Sequence, residues 1–189
     1  MLPWIDRHFL RADPFAFAGT EFEEFRHLVA SRFGVDPNGI YCVGSGAVGL
    51  SISPGKMIDQ DLKVFDSTSP DKDIRSDLDI ALISEIHFET AWRELRDAVA
   101  PSVSFIPKDL RDVQNQQRNR FFDGAIIANK LLGSLSFGSD WLTQSIGISE
   151  WVTVNFNREV TINFWIYRDY WSLRNYVSKG IIECGSKMK

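Results

Sequence analysis

The chain has 189 residues, of which 44% are hydrophobic and 24% charged, and a formal net charge of −4. That is enough for one globular domain with a sizeable core, and the acidic balance argues against a protein that coats duplex nucleic acid through many phosphate contacts. The first residues mix charges with apolar groups, and no apolar run has signal-peptide or membrane-spanning character, so the expected place is the cytoplasm and no membrane partner is expected.

Cys42 and Cys184 are too few for a disulfide framework, and His8, His27 and His87 match no zinc spacing. The reading is one α+β domain over residues 1–189. Residues 1–19, aromatic and broken by Pro and Gly, read as an irregular arm. Thr20 and Glu23 form a T-x-x-E capping box ahead of a helix with Phe22, Phe25, Val29 and Phe33 on one stripe, ended by Gly34. Asp36-Pro37-Asn38-Gly39 is turn chemistry, and Ile40–Val43 is a short buried strand. Residues 53–76, rich in Asp, Lys, Pro and Gly, read as a surface insertion. Asp77–Ile83 is the clearest strand, followed by an amphipathic helix marked by Phe88, Trp92, Leu95 and Val99. Residues 109–122 read as a polar helix, and 123–150 carry no clear period. Trp151–Phe156 and Val160–Tyr167 alternate as two strands of a hairpin, and a last helix begins near Tyr170.

Residues 43–56 read VGSGAVGLSISPGK and contain a literal G-x-G-x-x-G after a strand. In a dinucleotide-binding fold the pyrophosphate sits on a helix that starts within those glycines. Here Pro54-Gly55 interrupts such a helix soon after Gly49, where a proline costs about 3 kcal/mol. Leu50-Ser51-Ile52-Ser53 alternates as a strand, and no second βα unit follows. A P-loop is excluded, because no G-K-[ST] closes the glycines.

Asp77 and Asp79 flank Leu78 on the clearest strand. With a two-residue period both carboxylates leave the same face, and their mutual repulsion favours a bound divalent cation. Mg²⁺ (or Mn²⁺) with nucleotide phosphates suits one or two carboxylates, and a Gly-Ser turn offers N–H groups and a hydroxyl to phosphate.

Val43-Gly44-Ser45 followed by Ser76-Asp77-Leu78-Asp79-Ile80-Ala81-Leu82-Ile83 resembles the signature of the DNA polymerase β-like nucleotidyltransferases. The resemblance implies a nucleotidyltransferase-like mixed β-sheet flanked by helices, here with a long insertion between the Gly-Ser turn and the D-x-D strand. It implies that Gly44 and Ser45 hold a triphosphate and that Asp77 and Asp79 are metal ligands. The longer pattern, G-L-S-I-S-P (Gly49–Pro54), F-F-D-G (Phe121–Gly124) and W-I-Y-R-D (Trp165–Asp169), is similar to minimal nucleotidyltransferase-like proteins of bacterial antiphage defence loci, the Hailong type among them.

The family's third carboxylate has no counterpart. The polar position on the later strand is Asn163, with Glu159 and Asp169 at its ends. Arg118 and Arg120, with Arg111 upstream, are candidates to grip phosphates; Lys56, Lys63 and Lys72 are solvated lysines within reach of the same role. Trp165, Tyr167 and Trp171 offer stacking surfaces for a base. The expected activity is transfer of a nucleoside monophosphate from an NTP or dNTP to a hydroxyl, with short single-stranded nucleic acid and a defence effector protein as candidate partners. Two alternatives stand beside it: a catalytically degenerate regulatory subunit of the same fold, and a protein-modifying transferase of the toxin–antitoxin kind.

Overall fold

Four strands form the centre of the computed structural model, which describes residues 2–51, 57–58, 61–69, 75–98, 115 and 120–187. They are β1 (Ile40–Val43), β4 (Leu78–Ile83), β5 (Ala125–Ile127) and β6 (Ile162–Tyr167), in the order β1-β4-β6-β5. β1 and β4 are antiparallel, β4 and β6 parallel, β5 and β6 antiparallel. The sheet is therefore mixed, and helices cover both of its faces.

One face carries Leu78, Ile80 and Leu82 of β4 with Ile162, Phe164 and Ile166 of β6. It packs on helix α2 (Glu21–Phe33), α4 (Glu85–Ala98), the short α5 (Ala128–Leu131) and α6 (Gly138–Phe156). Phe33 stacks on Trp141 at 4.2 Å and meets Phe164 edge-on at 4.9 Å. The opposite face carries Asp79, Ala81, Asn163, Trp165 and Tyr167. Its apolar part packs on α7 (Tyr170–Lys187) and on the first ten residues. Alternation along β4 and β6 thus sends the greasy residues one way and the chemistry the other.

Three expectations are corrected. The arm is not irregular over its first ten residues: Leu2–Ile5 is a helical turn (α1) and Asp6–Leu10 continues it as a π-helix. Ile5, Phe9 and Leu10 are buried against the sheet and α7, so tertiary burial orders a segment that local signals left open. The capping box does not close either. Thr20 is the N-cap, but its hydroxyl bonds Glu24, while Glu23 is taken by Arg26 and His27. Gly34, in the left-handed region, does end the helix.

The larger correction is Trp151–Phe156, which is not a strand but the last part of α6. Trp141, Ile148 and Val152 are buried at helical spacing, and that burial overrides the strand preference of W-V-T-V. The hydroxyls of Ser145, Ser149 and Thr153 each bond the carbonyl four residues back, which makes the serines and threonines tolerable in a helix. Asn157, at φ 49°, turns the chain out.

After β1 the chain makes one helical turn, α3 (Ser45–Val48), and then runs outward. Gly49–Ser51 pairs with Lys63–Phe65, and Met57–Ile58 (β2) pairs with Asp61–Leu62 (β3). In its described parts, then, the insertion folds back on itself, and Ser76 returns to Asp66 at 2.7 Å. A single turn of helix and an antiparallel β1–β4 pair are not the parallel βαβ unit that a dinucleotide needs.

Candidate functional site

Asp79 sits opposite Val43 in the β1–β4 pair and opposite Asn163 in the β4–β6 pair. This register puts the Gly-Ser turn, the D-x-D strand and the amide of β6 side by side. Asn163 Nδ2 lies 3.4 Å from Asp77 Oδ2 and 3.3 Å from Asp79 Oδ1, so one amide bridges both carboxylates. The second oxygen of Asp79 faces Gly44. A Cβ on Gly44 would stand 3.0 Å from Asp79 Oδ2, and its φ of 64° with ψ −147° is a conformation that glycine alone adopts readily. Gly44 is what lets the carboxylate come so close to the turn.

Of these groups, Gly44 and Asp79 line a cavity of about 400 Å³, with Asp77 and Asn163 joined to it through Asp79. Ser45 and Asp79 line one side. Trp165 and Tyr167 project from β6 into it, and α7 closes the other side with Tyr176, Lys179, Gly180 and Glu183. The rings of Trp165 and Tyr176 are 5.4 Å apart and those of Tyr167 and Tyr176 5.8 Å. Burial raises the pKa of the Tyr176 hydroxyl, a hydrogen bond from Arg120 opposes it, and the charges of Asp79 and Asp123 push it up again. That one hydroxyl feels Arg120, Asp79 and Asp123 together, and it stays protonated at neutral pH.

Of the residues singled out by sequence, Gly44, Ser45, Asp77, Asp79, Asn163, Trp165 and Tyr167 are brought together, and Arg120 reaches the site through Tyr176. Arg118, Arg111, Lys56 and Lys72 lie outside the described residues. Lys63 belongs to the returning limb of the insertion. Trp171 is corrected: it is 60% exposed and does not line the cavity, and Tyr176 takes its place in the aromatic group. Neither substitute acid is at the site. Asp169 accepts from the backbone N–H and hydroxyl of Ser172 at the start of α7 and pairs with Arg168. Glu159 lines a separate groove beside α6.

Sequence reasoning missed Asp123, Tyr176, Lys179, Gly180 and Glu183. The signal was present: 176, 179, 180 and 183 follow the i, i+3, i+4, i+7 spacing of one helix face. A tyrosine, two charges and a glycine do not register as an apolar stripe, so nothing in the sequence singles this face out as a site.

Against protein-family models, curated proteins and solved structures, the chain matches none. No helix among the described residues is long and apolar enough to cross a membrane. Among the described residues, no group of three His, Cys, Asp or Glu side chains is gathered for a metal ion. Two carboxylates and an amide remain. That donor set fits one Mg²⁺ or Mn²⁺ whose shell is completed by phosphate oxygens and water. It has one carboxylate fewer than the nucleotidyltransferase signature supplies.

Proposed function

We propose that the chain is a metal-dependent nucleotidyltransferase that moves a nucleoside monophosphate from an NTP or dNTP to a hydroxyl, releasing pyrophosphate. The observation that carries this reading is the register of β1, β4 and β6, which pairs Val43 with Asp79 and Asp79 with Asn163, so that the Gly44-Ser45 turn and Asp79 together line a nucleotide-sized cavity. A divalent cation held by Asp77 and Asp79 would offset the charge that builds on the phosphates. Ser45 and the Gly44 turn would orient the triphosphate. Trp165 and Tyr176 offer ring faces to a base, and stacking of that kind accepts any base. The acceptor oxygen would form its bond to the α-phosphorus as the bond to pyrophosphate breaks, and its proton would pass to a neighbouring carboxylate.

The described part of the chain carries no separate template-binding domain, and the net charge is −4. Template-independent addition to a nucleotide or to a short single-stranded end therefore suits it best. Such a product fits the resemblance to antiphage defence proteins, in which a separate effector protein would read it.

The test is incubation with each labelled NTP and dNTP plus Mg²⁺ or Mn²⁺, following pyrophosphate, with untemplated products resolved on denaturing gels. Release that vanishes in Asp77→Ala supports the reading. A single labelled adduct on a protein would instead make it a protein-modifying transferase.

One observation favours a second reading. Asn163 donates to both carboxylates, so the pair is hydrogen-bonded without a cation. A regulatory protein that binds nucleotide without turnover would need no more. Nucleotide binding with no pyrophosphate from any substrate would establish it.

A further inference from the structure

Among the described residues that line the cavity, the carboxylates of Asp79, Asp123 and Glu183 meet a single cation, Lys179. Arg120 does not line the cavity and is engaged with the Tyr176 hydroxyl. The Lys179 ammonium is ion-paired with Asp123. The two partners are unlike in mobility. Asp123 sits on a turn fixed to the start of α7. The Gly124 N–H bonds the Phe121 carbonyl at 3.0 Å, Arg168 N–H bonds the Gly124 carbonyl at 3.0 Å, and a Cβ on Gly124 would lie 2.3 Å from Ser172 Oγ. Lys179 is held only by the end of a flexible four-carbon stem and is 57% exposed. An ion pair this open to water contributes little to folding, so little is lost when it parts.

We propose that Lys179 is the polyphosphate-binding residue of the cavity, and that Asp123 holds its ammonium until the anion takes it. The proposal rests on reading the cavity as a nucleotide site. A polyphosphate entering between Ser45 and α7 meets three carboxylates, and among the described lining residues Lys179 is the group that can answer its charge. Asp123 is thus the anion's competitor. Its carboxylate, once released, faces the same space as Asp79.

This gives Asp123 an unusual sign. If Asp123 were only a surface ion-pair partner, its removal would leave anion binding unchanged; if it were a cation ligand, its removal would weaken binding. As a competitor, its removal strengthens binding. The experiment is calorimetric titration with magnesium tripolyphosphate, which has no base or sugar, of the wild-type chain and of Lys179→Met, Asp123→Asn and the double variant, each checked by thermal melting. Lys179→Met should weaken binding at least about tenfold, and Asp123→Asn should tighten it about fivefold, the scale of a partly exposed ion pair. The double variant should behave like Lys179→Met.

Binding that ignores Lys179→Met, binding that Asp123→Asn weakens or leaves alone, or no binding by the wild-type chain overturns the proposal. Its fate separates from that of the enzyme reading. If this pattern appears and no NTP or dNTP releases pyrophosphate, the anion site stands and the transferase does not. If pyrophosphate is released and Lys179→Met binds as the wild type does, the transferase stands and this site does not.

Discussion

Gly180 lies well inside α7, where glycine costs a helix about 1 kcal/mol relative to alanine. It also lines the cavity, and a Cβ built there meets nothing within 4 Å. The empty space on that side is the cavity itself. Gly180→Ala should therefore stabilise the chain by about 1 kcal/mol, raising the melting midpoint by roughly 2–4 °C. Leucine is nearly as good a helix former, so Gly180→Leu should keep most of that gain. Its branched side chain, however, occupies space within about 400 Å³ that a nucleotide needs. An overlap of that kind costs about 1–3 kcal/mol, which is about 5- to 150-fold in affinity. Stability and binding should thus move in opposite directions in one variant. Denaturant titration measures the first, and calorimetry with a non-hydrolysable NTP and Mg²⁺ the second. A Gly180→Leu chain that is more stable and binds nucleotide as the wild type does would refute the assignment of this wall.

Asp77→Asn and Asp79→Asn should each reduce pyrophosphate release by about 10³-fold or more, the weight of several kcal/mol of lost charge stabilisation, with melting curves little changed because neither side chain belongs to the apolar core. Asn163→Asp puts a third carboxylate beside the other two; Mn²⁺ affinity, followed by electron paramagnetic resonance, should rise about tenfold, while the metal-free chain loses stability through the added repulsion. Gly44→Ala should destabilise by about 1–3 kcal/mol, because the backbone conformation is strained for any other residue, and should impair transfer as well, because the new methyl displaces Asp79. His87, in contact with Phe137 and Trp141 and with Nδ1 2.7 Å from Ser84 Oγ, has its pKa lowered by burial. The unfolded chain therefore binds the proton first. His87 contributes stability above about pH 6.5 that is lost as the pH falls below it, and denaturation midpoints at pH 7.5 and 5.5 should converge in His87→Asn.

The half of the site that lies on strands was legible because period-two alternation fixes direction. Once Leu78 and Ile80 are assigned to the core, Asp77 and Asp79 must leave by the other face, and the same logic isolates Asn163 between Ile162 and Phe164. The pairing of those strands depends on contacts distant in sequence, yet the glycine ahead of Ser45 marks where β1 must stop. The half that lies on α7 was not legible. Its cavity face is defined by what it leaves empty, Gly180, and by Tyr176, Lys179 and Glu183, which no local pattern sets apart from an ordinary polar helix face. Trp151–Phe156 shows the same limit from the other side. Its local alternation is a fair strand signal, and only the packing of Ile148 and Val152 under α2 and the sheet decides for helix.

The start of α7 is tied to the other end of the chain. Tyr170 donates to Asp6 at 2.9 Å and Arg174 pairs with the same carboxylate, contacts that span 164 and 168 residues. The wall that completes the cavity is thus moored to a segment that precedes both aspartates by roughly seventy residues of chain, and the entropy cost of closing a loop grows with its length. A growing chain can set its two aspartates beside the Gly-Ser turn long before it owns a pocket to put a nucleotide in. Loop closure over that span comes late and slowly. The cavity itself is complete only once the chain has passed Gly180.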